Sequence, residues 1–177
     1  MATAVGLLAT GCSQHSDQPV QHVQAKWAPG YGDVKELDAH SDLAVAGRFS
    51  KNLGEKTDNN GVTRTDFEFT ITKQLSNHKG DAVGAKTILI RQTGGKNIQS
   101  EDDTLFQEDE KAVLFLREFA PGQYAVISGP NGRFNLTDPK GVTGQAAAST
   151  EATVSPFNNE TAKFSGSLGQ LTTLLGQ

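Results

Sequence analysis

Between Asp42 and Thr137 the apolar residues recur at every second position, in short runs broken by glycine, asparagine and charge. A period of two puts alternate side chains on one face of an extended strand, and a helix cannot use it. In Arg64–Thr72, Phe67, Phe69 and Ile71 alternate with Asp66, Glu68 and Thr70, which predicts a half-buried strand. In Asp42–Phe49, Leu43, Val45 and Phe49 share a face, and Gly47 interrupts it as expected at a bulge or sharp bend. Thr87–Arg91 predicts a third strand, ended by Gly94-Gly95. Ala112–Leu116 is apolar on both faces and is expected to lie centrally in its sheet. Tyr124–Ile127 and Arg133–Leu136 complete a set of six. Asn131-Gly132 between the last two predicts a hairpin turn. Asn52–Thr63, with Gly54 and Asp58-Asn-Asn-Gly61, reads as a loop. Two helical turns are expected over Val34–His40, and a further short turn over Glu101–Phe106. Short strands at close spacing with little helix predict an all-β sandwich or barrel.

Length bounds the organisation. The 177 residues suit one domain with tails. A single cysteine excludes a disulfide scaffold. No apolar run approaches the roughly 18 residues of a spanning helix. Acidic residues outnumber basic ones 20 to 16, and the isoelectric point is near 5.5, so nucleic acid is not an expected partner.

The N-terminus, MATAVGLLATGC, is apolar or small, and the first charge is Asp17. Residues 1–11 read as the core of a secretion signal without the basic segment that ordinarily precedes it. The expected explanation is an internal Met at position 1, or upstream residues beyond it. Leu8-Ala9-Thr10-Gly11-Cys12 resembles the lipobox of bacterial lipoproteins. That resemblance implies cleavage before Cys12, lipidation of its thiol, and anchoring to the outer face of the bacterial cell membrane. Two or three acyl chains bury enough CH₂ groups for a stable anchor. Residues 12–32 carry no apolar period and read as a tether with a reach of about 25 Å. His15 and His22 read there as solvated side chains rather than metal ligands. Trp27 and Tyr31 have two open roles: docking on the domain, or an exposed recognition site.

The segments SDLAVAGRF, TDFEFTITKQLSNHKGD, KTILIRQTGG, EDEKAVLFLRE and GQYAVISGPNGRFNL follow one another in an order that resembles the TIMP/netrin-like OB-fold modules of bacterial secreted proteins and lipoproteins. The resemblance covers residues 33–140. It implies a small OB-like Greek-key barrel, five-stranded and partly open, with the last hairpin as an extension. Animal members chelate a protease zinc through a free N-terminal cysteine amine. Cys12 is expected to be acylated and stands far from the first strand, which puts that mechanism in doubt here.

Residues 141–163 read as a low-complexity linker, with Thr143–Ser155 expected to be disordered. Phe164, Leu168, Leu171 and Leu175 predict a short amphipathic helix in 164–177, capped by Ser165 or Ser167. It either packs back on the barrel or stays free as a recognition segment.

Gly80–Thr87 misses the phosphate-loop pattern, because Ala85 precedes Lys86 and a strand follows. The acidic runs Glu101–Asp103 and Glu108–Glu110 lack EF-hand spacing, so they read as a solvated loop, with a weak cation site as the sharper alternative. No Gly-x-Ser-x-Gly is present, and His40 and His78 have no evident nucleophile. No catalytic residue, metal or cofactor is expected. The leading expectation is a non-catalytic surface lipoprotein, lipidated at Cys12, that presents a barrel to a protein or envelope partner. The alternative is a secreted protease inhibitor, or an enzyme with an unrecognised site.

Overall fold

The computed structural model describes residues 19–23, 30–80, 86–139 and 149–176. In chain order the elements are β1 (Gln21–Val23), α1 (Val34–His40), β2 (Leu43–Thr57), β3 (Thr63–Asn77), β4 (Thr87–Thr93), β5 (Ile98–Ser100), β6 (Lys111–Ala120) and β7 (Gln123–Val126). A 3₁₀ turn (Gly129–Gly132), β8 (Arg133–Thr137), β9 (Thr153–Pro156), β10 (Gly166–Ser167) and α2 (Leu168–Leu174) follow.

β2, β3 and β4 form an antiparallel meander. β7 then inserts between β4, to which it is parallel, and β6, to which it is antiparallel. β6 returns to β2, so five strands close into a barrel. The fold is thus the small all-β barrel expected, with a short helix near its C-terminal end.

β2 and β6 carry apolar side chains on both faces. Leu43, Val45, Phe49, Leu114 and Leu116 fill the barrel with Phe67 and Phe69. Ala44, Ala46, Val113 and Phe115 face the other way, into a second core with Phe134 of β8 and Leu37 of α1. The central position expected for Ala112–Leu116 follows from this double burial. Phe67 and Phe69 lie in the barrel core, as their alternation requires.

Gly47 sits at a register shift of β2. A Cβ there would meet the Thr70 carbonyl oxygen at 2.2 Å, so the strands approach too closely for any side chain. α1 is capped by Asp33, whose Oδ1 accepts the Lys35 and Glu36 N–H groups at 2.9 and 3.0 Å. α2 is capped by Ser167, in a reciprocal box with Gln170. Leu168 and Leu171 bury against the second core, with Phe164 and Leu175 beside them. The C-terminal helix therefore docks on the barrel.

Four expectations are corrected. Asn52–Thr57 is not loop: β2 runs to Thr57, and only five residues, 58–62, connect it to β3. Register shifts at Phe49/Lys51 and Asn52/Gly54 break the two-residue period, which hid the strand. Asn131-Gly132 does not close a hairpin. β7 and β8 are both antiparallel to β6 and lie end to end along one of its edges, so they run in the same direction. The 3₁₀ turn steps the chain from one to the other. Glu101–Phe106 forms no helical turn. The stretch expected as a linker over 141–163 carries β9, which pairs with β8 and buries Val154.

Replacing Leu114 by Ala is expected to cost 2–5 kcal/mol, and Phe115 by Ala about 3–5 kcal/mol. Either residue replaced by Asp buries an unpaired charge and is expected to unfold the domain. Denaturant unfolding of the four variants checks whether the two cores melt as one unit.

Candidate functional site

A cleft of about 640 Å³ opens at one end of the barrel. Asn52, Gly54 and Glu55 of β2 and Thr65 of β3 form one wall. Lys96 and Gln99, from the β4–β5 turn and β5, form a second. Leu105–Glu108, from the segment leading into β6, close it. The rim is polar and the floor is Leu105 and Phe106.

Hydrogen bonds hold each wall. Glu55 accepts the Lys96 N–H at 2.8 Å, tying β2 to the β4–β5 turn. Glu108 accepts the Asn52 N–H at 2.9 Å, tying the closing segment to β2. Thr65 donates to the Gly94 carbonyl at 2.8 Å. Gln92 accepts the Phe106 N–H and donates to the Thr104 carbonyl, each at 3.0 Å. The Phe106 ring stacks on Phe49, centroids 4.2 Å apart, and meets Phe67 edge-on. The floor of the cleft is therefore the top of the barrel core.

Behind that floor lies Arg133, only 2% exposed. Its guanidinium sits between the Phe106 ring at 4.4 Å and the Phe157 ring at 3.7 Å. It donates to Asp103 at 3.2 Å, to the Thr104 carbonyl at 2.7 Å and to Glu110 at 2.7 Å. Among the described residues its buried Nε has no hydrogen-bond partner, nor has the buried Ser100 hydroxyl. The acidic stretch is thus split. Asp103 and Glu110 turn inward to Arg133, whereas Glu101, Asp102, Glu108 and Asp109 stay exposed. Asp109 pairs with Arg48 at 3.0 Å. The reading of a wholly solvated loop is corrected for Asp103 and Glu110. No sequence signal connects Arg133 to carboxylates more than twenty positions away.

Burial raises the Asp103 carboxyl above its ordinary range, against the pull of Gln92 and Arg133. Asp66 is shifted the other way, lowered chiefly by its paired hydrogen bonds to Arg91, at 2.6 and 2.8 Å.

The remaining sequence candidates fall elsewhere. Cys12, His15 and Trp27 lie outside the described residues, as do positions 81–85 of the near-miss phosphate loop. His22 is exposed on β1, which adds in parallel to β5. Tyr31 docks on the second core and stacks on His40, centroids 4.8 Å apart. Asn131 holds it there, accepting the Tyr31 N–H at 2.9 Å and donating to its carbonyl at 3.2 Å. His78 contacts the Asp38 carboxylate at 3.0 Å, and the Ser76 hydroxyl donates to the same carboxylate. Ser76 is therefore bonded to the acid rather than to the imidazole, which is not the arrangement of a nucleophile with its base. Among the described residues, no three His, Cys, Asp or Glu side chains converge as metal ligands, and no helix is long and apolar enough to cross a membrane.

Removing the cation with Arg133→Leu leaves Asp103 and Glu110 facing each other partly buried, and is expected to cost 3–5 kcal/mol. Carboxyl NMR titration is expected to find Asp103 protonating above 3.8 and Asp66 below it. The linked signs are opposite. The Asp66 contribution to stability is present above 3.8 and lost as pH falls through its lowered value. The Asp103 contribution is full below 3.8 and lost as pH rises through its raised value.

Comparison with protein-family models, curated proteins and solved structures finds no match to this chain.

Proposed function

We propose that the chain is a non-catalytic lipoprotein, anchored to the outer face of a bacterial cell membrane through Cys12, whose barrel is a binding module for a protein or envelope partner. The observation that carries the reading is the place of the only cysteine. It stands directly after an apolar run, behind the small pair Thr10-Gly11 and ahead of a polar stretch without apolar period. The domain supplies the second half. A walled, polar-rimmed cleft at the mouth of a closed barrel offers a concave surface for a partner. The five-stranded closure, in which the chain leaves β4 to pair β6 with β2 and turns back through β7 to β4, supports the finer reading of residues 33–140 as a TIMP/netrin-like OB module.

The test is the mass of the N-terminal peptide from protein made in its native host from the full upstream start. A diacylated Cys12 as first residue is expected, and Cys12→Ser is expected to move the protein from the membrane pellet to the supernatant. An unmodified Cys12 with Met1 retained overturns the proposal.

A further inference from the structure

We infer that the cleft docks an extended peptide segment bearing basic side chains, added as a further strand to the free edge of β2. The inference rests on the barrel being a binding module and names the chemistry of its partner.

The first observation is an unfinished ladder. β6 pairs with β2 only from Leu43 to Arg48. Backbone bonding extends one step, with the Phe49 N–H donating to the Glu110 carbonyl and its own carbonyl accepting from Asp109. At Asn52 the N–H goes to a side chain, Glu108, and at Gly54 to the Asn52 side chain, so a guest strand displaces that second bond. Over Leu53–Thr57, β3 holds one edge of β2. Among the described residues no strand pairs with the other edge. A peptide strand there continues a ladder that β6 abandons.

The second observation is which face the register turns toward the cleft. Directly paired residues share a face of a sheet. Asn52 is paired with Phe67 and Glu55 with Thr65, and both partners are buried toward the barrel. Asn52 and Glu55 therefore face inward, and both line the cleft. Lys56 is paired with Arg64 on the outer face. An added strand alternates in the same way, so every second side chain enters the cleft.

The third observation is charge. Glu55 and Glu108 stand on facing walls, against one lining cation, Lys96. Each carboxylate accepts one backbone N–H. A carboxylate has about four acceptor positions, so each retains capacity for an incoming cation. Lys or Arg side chains can lay their alkyl stems over the half-buried Leu105 and bring their charged ends to these acids. The floor disfavours a sugar or a base. The Phe106 ring is 2% exposed, packed between Phe49 and Arg133, and offers no open face for stacking.

The experiment is an NMR titration of the full chain with the nonapeptide Thr-Lys-Thr-Lys-Thr-Lys-Thr-Lys-Thr. Amide shifts are expected at Leu53–Thr57 and Leu105–Glu108, with slowed hydrogen exchange along Leu53–Thr57. Glu55→Gln and Glu108→Gln preserve an acceptor for the backbone bond and are expected to weaken binding roughly 3- to 10-fold each, with unchanged melting. N-methylation of alternate peptide amides is expected to abolish binding in one register and spare it in the other. No binding, equal binding of the Thr-Glu counterpart, indifference to N-methylation in both registers, or shifts confined to another face would each overturn the inference. So would shifts at these amides from chitotriose and none from the peptide. The mass of the Cys12 peptide is read separately, so failure of the anchored reading and failure of the docking site are distinguishable.

Discussion

The pairing of β2 with β6 is the constraint on which the rest of the domain depends. Over Leu43–Arg48 and Lys111–Leu116 the two strands form a wall with a core on each side. A strand buried on both faces cannot slip by one residue without exchanging two apolar sets, and the two sets here differ in size. Ala44 and Ala46 leave room for α1 and α2, whereas Val45 and Phe49 fill the barrel. The wall therefore fixes the register of the barrel and the seat of both helices at once. It also explains the end-to-end placement of β7 and β8. One edge of β6 serves the barrel over Leu116–Ala120 and the β8–β9–β10 extension of the sheet over Ala112–Leu114. The chain must step sideways between them, and the Gly129–Gly132 turn makes the step.

Sequence pattern revealed the parts of the barrel that obey a period. Phe67, Phe69 and Ala112–Leu116 are legible because half-burial and full burial write different patterns. Gly47 is legible as an interruption, and the α2 cap as one of two serines, Ser165 or Ser167, ahead of spaced leucines, of which the structure uses Ser167. The distal arm of β2 was not legible, because its bulges scramble alternation and its residues from Lys51 to Glu55 are all exposed. β9 was not legible either, since Ala152 and Val154 are buried within a run of small polar residues that reads as disorder. The cleft is hidden for a third reason. Its walls come from four segments that only the closed barrel assembles, and neither Glu55 nor Gln99 belongs to any local motif.

Arg133 links the two halves of the molecule. It belongs to β8, on the side of the second core, yet its guanidinium reaches Asp103 and Glu110 beside the barrel and touches Phe106 beneath the cleft. Phe157, just beyond β9, closes its other side. Burying this charge is costly, and both carboxylates and the Thr104 carbonyl are needed to offset the loss of water. What the arrangement achieves is position. The segment 103–110 carries no helix or strand, and these contacts fasten both its ends. The Leu105–Glu108 wall is thereby a held surface rather than an unconstrained loop, which lowers the ordering cost of any guest.

The N-terminal segment adds a geometric consequence to the anchored reading. β1 lies in parallel on β5, whose Gln99 lines the cleft, and further along the chain the Tyr31–Asn131 contacts pin it again. A tether counted from Cys12 to the first barrel strand has some thirty residues. Counted to Gln21, the first paired position among the described residues, it has nine, which span about 30 Å at full extension. On that reading the reach of the domain is set by the short leader, and the β5 side of the barrel, with the cleft beside it, is the side held nearest the lipid. A partner for the cleft would then be met close to the membrane surface. Loss of the three-residue β1–β5 contact would lengthen the leash without altering the barrel, since the wall of β2 and β6 makes no use of it.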